Sequence, residues 1–207
     1  MRVLLVALLP LGCAAPGTVA FRHSDFRPAE IRRPVLLLQV SLDRTGLLGE
    51  GEFSSQERSS IPEAFEVALL EGFNAEGILP LDVSLSSRRS GSPGSAEGID
   101  AKPALERARA VGADVVMILE GRLSRQDSVF CREERRAFVA RTTSWMLAAR
   151  VLRVADGSPL LIEPAGAGSR VSDVEPDCKR GRIVRRLSAQ ELLDVAARRA
   201  LSLLLAK

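Results

Sequence analysis

The sequence predicts a single α/β domain, with a mixed central sheet of about five strands and helices packed on it. Three observations point there. Val115 to Leu119 is an unbroken apolar run inside VGADVVMILEGRL, with Gly112 ending the helical pattern before it and Asp114 at the strand's mouth. Val35, Leu36, Leu37, Leu38 and Val40 form a second run, too continuous for an edge strand and consistent with burial on both faces. Leu192, Leu193, Ala196, Ala200 and Leu203 recur at helical spacing behind a Ser188–Glu191 capping box.

At the amino end, Met1-Arg2 precedes the apolar run Val3 to Leu9 and then Pro10-Leu11-Gly12-Cys13, the order of a secretory signal over residues 1–12. The run is too short for an ordinary membrane span. Leu11-Gly12-Cys13 resembles the lipobox of bacterial lipoproteins, with Pro10 where that family usually carries Leu. The resemblance implies cleavage before Cys13, lipidation of Cys13 and, because Ala14 follows, a place in the outer membrane of a Gram-negative bacterium, facing the periplasm. Residues 13–33 have little apolar periodicity and carry Pro16, Gly17 and Pro28, so they are expected to be a lipidated tether. The α/β domain is then 34–207.

Within that domain the first strand is expected over Pro34 to Leu42. Asp43 to Ser59 is polar, and its glycines lack the spacing of a phosphate loop. Helix one is expected to start at Ser60, with Glu63 closing a capping box, Pro62 in the first turn, and Ile61, Phe65, Ala68 and Leu69 on one face. Gly77 stops it before an alternating strand, Leu79 to Leu85. Ser86 to Gly98 reads as a surface loop holding Arg88-Arg89. Asp100 can cap the next helix, which places Ala104, Ala108 and Val111 on one side and leads to the central strand.

After Leu123 the charged stretch Ser124 to Arg136 is expected to be a loop or hairpin extension. A long strand follows from Phe138 to Val154, turning at Asp156-Gly157 into Leu160 to Glu163. Pro164 to Lys179 is expected to be irregular. The Arg-Arg-Leu-Ser run ending at Ser188 is read as a helix cap.

Setting Cys13 aside leaves two cysteines, Cys131 and Cys178, which bracket the hairpin. In an oxidising compartment they can form one disulfide, whose loop closure would contribute about 4 kcal/mol on the chain-entropy model. Two unrelated thiols or a metal site are the other readings. Neither cysteine lies in a CxxC or beside a histidine, which weighs against zinc.

The order strand, helix, strand, helix, GADVVMILEGRL, AARVLRVADGSPLL and a last amphipathic helix is similar to a group of bacterial envelope lipoproteins. That group holds the curli secretion-channel lipoprotein CsgG, the penicillin-binding-protein activator LpoB and the N-terminal domain of TolB. Gly112-Ala113-Asp114, Gly121 and the Val151 to Leu160 stretch carry the likeness. The resemblance implies a periplasmic module that binds another envelope protein. No membrane-spanning hairpin of a curli-like channel is evident.

Composition excludes several functions. With 29 Lys and Arg against 26 Asp and Glu, no Tyr and one Trp, the chain lacks the basic stripe and stacking faces of a nucleic-acid binder. The one histidine, His23, falls in the expected tether, and no GxSxG elbow holds a serine, so nucleophilic catalysis has no partner set. Asp114 and Glu120 sit at opposite ends of a strand segment about 20 Å long, too far apart for an acid/base pair. The expectation is no enzyme, no metal and no cofactor. The partners expected are a lipid anchor in the membrane and either an envelope protein or a second copy. The alternative is a binder of an anionic envelope component, peptidoglycan or lipopolysaccharide, through Arg132, Arg135 and Arg136 with Arg180, Arg182, Arg185 and Arg186.

Overall fold

The computed structural model describes residues 20–43, 53–89, 100–132 and 136–206. The order is β1 (Phe21–Arg22), β2 (Val35–Leu42), α1 (Ser55–Ala75), β3 (Asp82–Arg89), α2 (Lys102–Val111), β4 (Val115–Phe130), β5 (Phe138–Arg153), β6 (Pro159–Glu163), β7 (Arg170–Ser172), β8 (Val174–Asp177), β9 (Arg182–Arg186) and α3 (Ala189–Leu204). Seven strands form one mixed sheet in the order β1-β6-β5-β4-β2-β3, with β7 also on β5; β8 and β9 pair separately. The α/β class is as predicted, on a sheet wider than the expected five strands.

The two apolar runs lie side by side. Strand β2 pairs in parallel with β3 on one side and β4 on the other, and its two faces are covered by helices, Leu36 and Leu38 packing with α1 and α3 and Val35 and Leu37 with α2. Odd-numbered residues of β4, from Val115 to Leu123, face α1 and α3, and Val116 and Ile118 face α2. Helix α2 is half the length of α1 and covers the lower part of its sheet face. Glu120 and Arg150 pair on that face at 2.9 Å.

Several boundaries differ from expectation. The S-x-x-E motif that starts α1 is Ser54–Glu57, six residues before Ser60–Glu63. The Glu57 N–H donates to Ser54 Oγ at 3.2 Å and the Ser54 N–H to Glu57 Oε2 at 2.7 Å. Pro62 therefore lies inside the helix, and its ring is buried on the stripe of Phe65, Leu69 and Phe73. Strand β3 starts three residues later than expected and runs into the stretch read as a loop; residues 90–99 lie outside the described residues. Asp100 caps α2 from one position further out, accepting the Lys102 N–H at 3.0 Å, and Val111 faces solvent instead of the core.

Two findings reshape the molecule. Residues 20–33, read as tether, belong to the fold: β1 extends the sheet on β6, the His23 N–H donates to Leu160 O at 2.8 Å, and Phe26 is 2% exposed in the main core. Residues 124–130, expected to be a loop or a hairpin extension, are the extension: they continue β4 in unbroken register with β5 as far as Phe130 opposite Phe138. Beyond Leu123, where β2 ends, the two strands form an arm. Its polar rungs explain why the sequence left a loop open as the other reading. Ser124 faces Ser144 and Ser128 reaches diagonally to Thr142, their hydroxyls 3.3 and 3.0 Å apart, so no apolar alternation marks the strand.

The irregular stretch after Pro164 contains β7 and β8. The hairpin at Asp156-Gly157 forms as predicted, with Gly157 at φ +74°. Ser188 and Glu191 form the predicted box on α3, whose five stripe residues are all buried.

Candidate functional site

In an α/β sheet, the carboxyl ends of the parallel strands are where ligands usually gather. Glu120, Gly121 and Arg122 are mid-strand, because β4 continues to Phe130. The open end lies one turn higher. There Leu123 and Trp145 floor a cleft of about 140 Å³ between the first turns of α1 and α3. Phe53, Ile61, Leu187 and Leu192 supply most of its walls, and Glu57, Arg125, Thr143 and Asp173 supply its polar groups.

Each charged group in the cleft is committed to a neighbour. Arg125 on β4 donates Nη2–H to Glu57 Oε1 at 3.0 Å and lies 4.5 Å over the Phe53 ring. Glu57 already accepts the Ser54 N–H, and that bond, followed by the one from Arg125, holds its carboxyl below the usual carboxylate range. Asp173, almost wholly buried, accepts the Thr143 N–H at 2.9 Å and the Arg186 Nη1–H at 2.8 Å. The site is thus a joint: two helix starts and the base of the arm are tied together by ion pairs.

Helix α3 repeats the device of α1. Its capping Glu191 takes the Ser188 N–H on one oxygen and Arg185 Nη2–H on the other, both at about 2.9 Å, which lowers its pKa, the Ser188 backbone bond first among the causes. An arginine from β4 seats α1, and an arginine from β9 seats α3.

The second candidate surface is the tip of the arm. Cys131 and Cys178 form the expected disulfide, their Cα atoms 5.2 Å apart across 47 residues of chain. The bond joins the end of β4 to the end of β8, so the β4–β5 and β8–β9 ribbons are clamped together. Arg136 donates Nη1–H to Lys179 O, and its Cβ lies against Gly181. Of the arginines named from the sequence, Arg132 and Arg136 are brought beside Arg180 and Arg182 at this tip, all four exposed. Arg185 and Arg186 are lower on the arm, in the ion pairs with Glu191 and Asp173. Arg135 and Cys13 lie outside the described residues.

His23, the one imidazole, accepts the Asp25 N–H on Nδ1 at the β1 edge, away from the cleft lining. Sequence reasoning missed Phe53, Glu57, Arg125 and Asp173. Glu57 had a signal in the Ser54-x-x-Glu57 spacing; the pairing of Asp173 with Thr143 and Arg186 had none.

No protein-family model matches the sequence, and no curated protein does. Among solved structures the chain is similar to the PelC dodecamer from Paraburkholderia phytofirmans, at 17% identity and a TM-score of 0.38 over 87% of this chain and 93% of that one. It is similar to a neuraminyllactose-binding hemagglutinin homolog from Helicobacter pylori, at 12% identity and a TM-score of 0.40 over 87% and 84%. Protein CT253 from Chlamydia trachomatis aligns at 12% identity and a TM-score of 0.33 over 83% and 94%.

Proposed function

We propose that the protein is a non-catalytic assembly module of the bacterial cell envelope, anchored by lipid on Cys13 to the outer membrane and facing the periplasm. The Cys131–Cys178 disulfide is the observation that carries this reading, because such bonds persist in exported proteins and are rare in the cytosol. The signal-like residues 1–12 point to the same compartment. The charged groups of the cleft support a structural role for it, since each is spent on seating a helix or a strand. What the domain offers a partner is surface: an arm standing clear of the sheet, and a sheet face that α2 covers only in part.

The test is fractionation with cross-linking. Wild-type chain should sediment with membranes and Cys13→Ser should be released to the soluble periplasmic fraction. Amine cross-linking of wild-type membranes should produce a species larger than the monomer. A Cys13→Ser chain that stays in the membrane sinks the anchor, and a monomer alone after cross-linking sinks the assembly role.

The second reading, binding of an anionic envelope component, is favoured by one arrangement: the disulfide gathers basic residues that are far apart in sequence at the tip of the arm. Affinity for such a component should fall steeply with salt, which a largely apolar protein contact would not show.

A further inference from the structure

We infer that the outer edge of β3 pairs with the β3 edge of a second copy of this chain, antiparallel about a two-fold axis at Leu85, so that two sheets join into one. The inference deepens the assembly reading above, and rests on it, by naming the partner and the surface.

Strand β3 ends the large sheet, and among the described residues no strand pairs with its outer side. The opposite end of the sheet is closed by β1, whose two residues are too few to template a neighbour. Strand β3 is eight residues long, follows β2 from Asp82 to Arg89 without a register shift, and contains no proline. Edge strands are commonly blunted by such breaks or by charges in mid-strand. The charges of β3 stand towards its ends instead, Asp82 at one and Arg88 and Arg89 at the other.

The ladder decides which main-chain groups are outward. The Asp43 N–H donates to Leu123 O, so odd-numbered residues of β2 turn their N–H and C=O to β4 and even-numbered ones turn theirs to β3. Through the register, Ser84, Ser86 and Arg88 bond β2, and Val83, Leu85 and Ser87 present N–H and C=O to the outside.

Two antiparallel edges bond only where outward residues of one copy meet outward residues of the other. With Leu85 opposite Leu85, Val83 lies opposite Ser87 and about six main-chain hydrogen bonds form. The same register sets Asp82 opposite Arg88 at both ends and Ser84 opposite Ser86. A slip of one residue puts outward groups against inward ones, and a slip of two removes both charge pairs. An edge that matches itself at both ends specifies a second copy over an unrelated strand.

Asp82 can accept that cation. Arg107 Nε lies 2.9 Å from its Oδ2, and its Oδ1 has no partner among the described residues. The apolar face agrees. Val83 and Leu85 pack on the main core but are only half-buried, where their β2 partners Leu36 and Leu38 are wholly buried. Leu85 against Leu85 takes more of that face out of water.

The experiment uses full-length chain carrying Cys13→Ser; with Cys131 and Cys178 joined to each other, introduced thiols are the only free ones. Chain with Ser84→Cys and chain with Ser86→Cys are purified, mixed and oxidised with copper phenanthroline. The mixture should give a disulfide-linked dimer on a non-reducing gel, because position 84 of one copy meets position 86 of the other within disulfide reach. Either variant alone should stay monomeric on the gel, since like positions are about 8 Å apart, beyond that reach. Sedimentation equilibrium of chain without introduced cysteines should show a dimer. Arg88→Glu, which sets like charges opposite each other, should weaken it about tenfold, and Arg132→Glu on the arm should leave it unchanged. A mixture that does not cross-link, single variants that cross-link equally well, a chain that sediments as a monomer, or equal effects at Arg88 and Arg132 each overturn the inference. If amine cross-linking of membranes still yields a larger species, the assembly reading survives that result with a different partner; if membranes give the monomer alone, both fall.

Discussion

Gly121 and Trp145 meet face to edge across β4 and β5: a Cβ on Gly121 would lie 3.0 Å from Cζ3 of the indole. The ring has no room to retreat, because Phe65 of α1 stacks on it with centroids 4.5 Å apart and planes 18° from parallel. Gly121→Ala should therefore destabilise the fold by about 1–3 kcal/mol, the usual range for overpacking a tight core. Chemical denaturation would measure it, and a loss under about 0.5 kcal/mol would mean that the ring shifts freely.

The start of α1 gives a second prediction. Ser54→Ala removes the acceptor of the Glu57 N–H and should cost about 1 kcal/mol, with Ser188→Ala on α3 costing a similar amount. Ser60→Ala, inside the helix, should be close to neutral, since alanine is the better helix former. Equal losses at Ser54 and Ser60 would contradict the observed cap.

The capping glutamates predict the acid side of the stability profile. Glu57 and Glu191 both have carboxyl pKa values held below the ordinary 4.5, by the backbone N–H of Ser54 and of Ser188 respectively. A depressed native pKa means the unfolded chain binds protons first, so this stabilisation is present above pH 4.5 and is lost as pH falls through the lower native values. The melting temperature should decline below about pH 4.5. Glu57→Gln with Glu191→Gln should flatten that decline, measured by melting from pH 7 to pH 3.

Reduction of the disulfide should act mainly on the arm. For a 47-residue separation the chain-entropy model gives about 4 kcal/mol. Cys131→Ser with Cys178→Ser should lower the melting temperature, and reductant should then have no further effect. Hydrogen exchange should speed up in β8, β9 and the upper parts of β4 and β5, while β2 and α3 stay protected.

Legibility in the sequence followed burial. Val35 to Leu38 and Val115 to Leu119 announced themselves because strands covered on both faces need continuous apolar side chains, and the stripe of α3 did because one face of a helix needs them at its own period. The arm was legible only as one of two readings, for the opposite reason. Its rungs are serine, threonine and arginine, satisfied by cross-strand hydroxyl contacts and ion pairs, and such pairs leave no mark in a one-dimensional pattern. The cap of α1 was misplaced because Ser54-x-x-Glu57 and Ser60-x-x-Glu63 are the same motif. Only the packing of Phe53 and Arg125 at the cleft distinguishes them.

The α/β class, the hairpin at Asp156-Gly157, the box at Ser188 and the pairing available to Cys131 and Cys178 were therefore present in the sequence, because each depends on local period, on turn chemistry or on counting thiols. The seating of Glu57 on Arg125, the tie of Asp173 to Thr143 and Arg186, and the gathering of Arg132 and Arg136 with Arg180 and Arg182 were decided by tertiary structure alone. The partners in each of these are between 13 and 68 residues apart, apart from the cationic tip, which the 47-residue disulfide loop brings together. Only the strand register and that cross-link bring such residues within bonding distance.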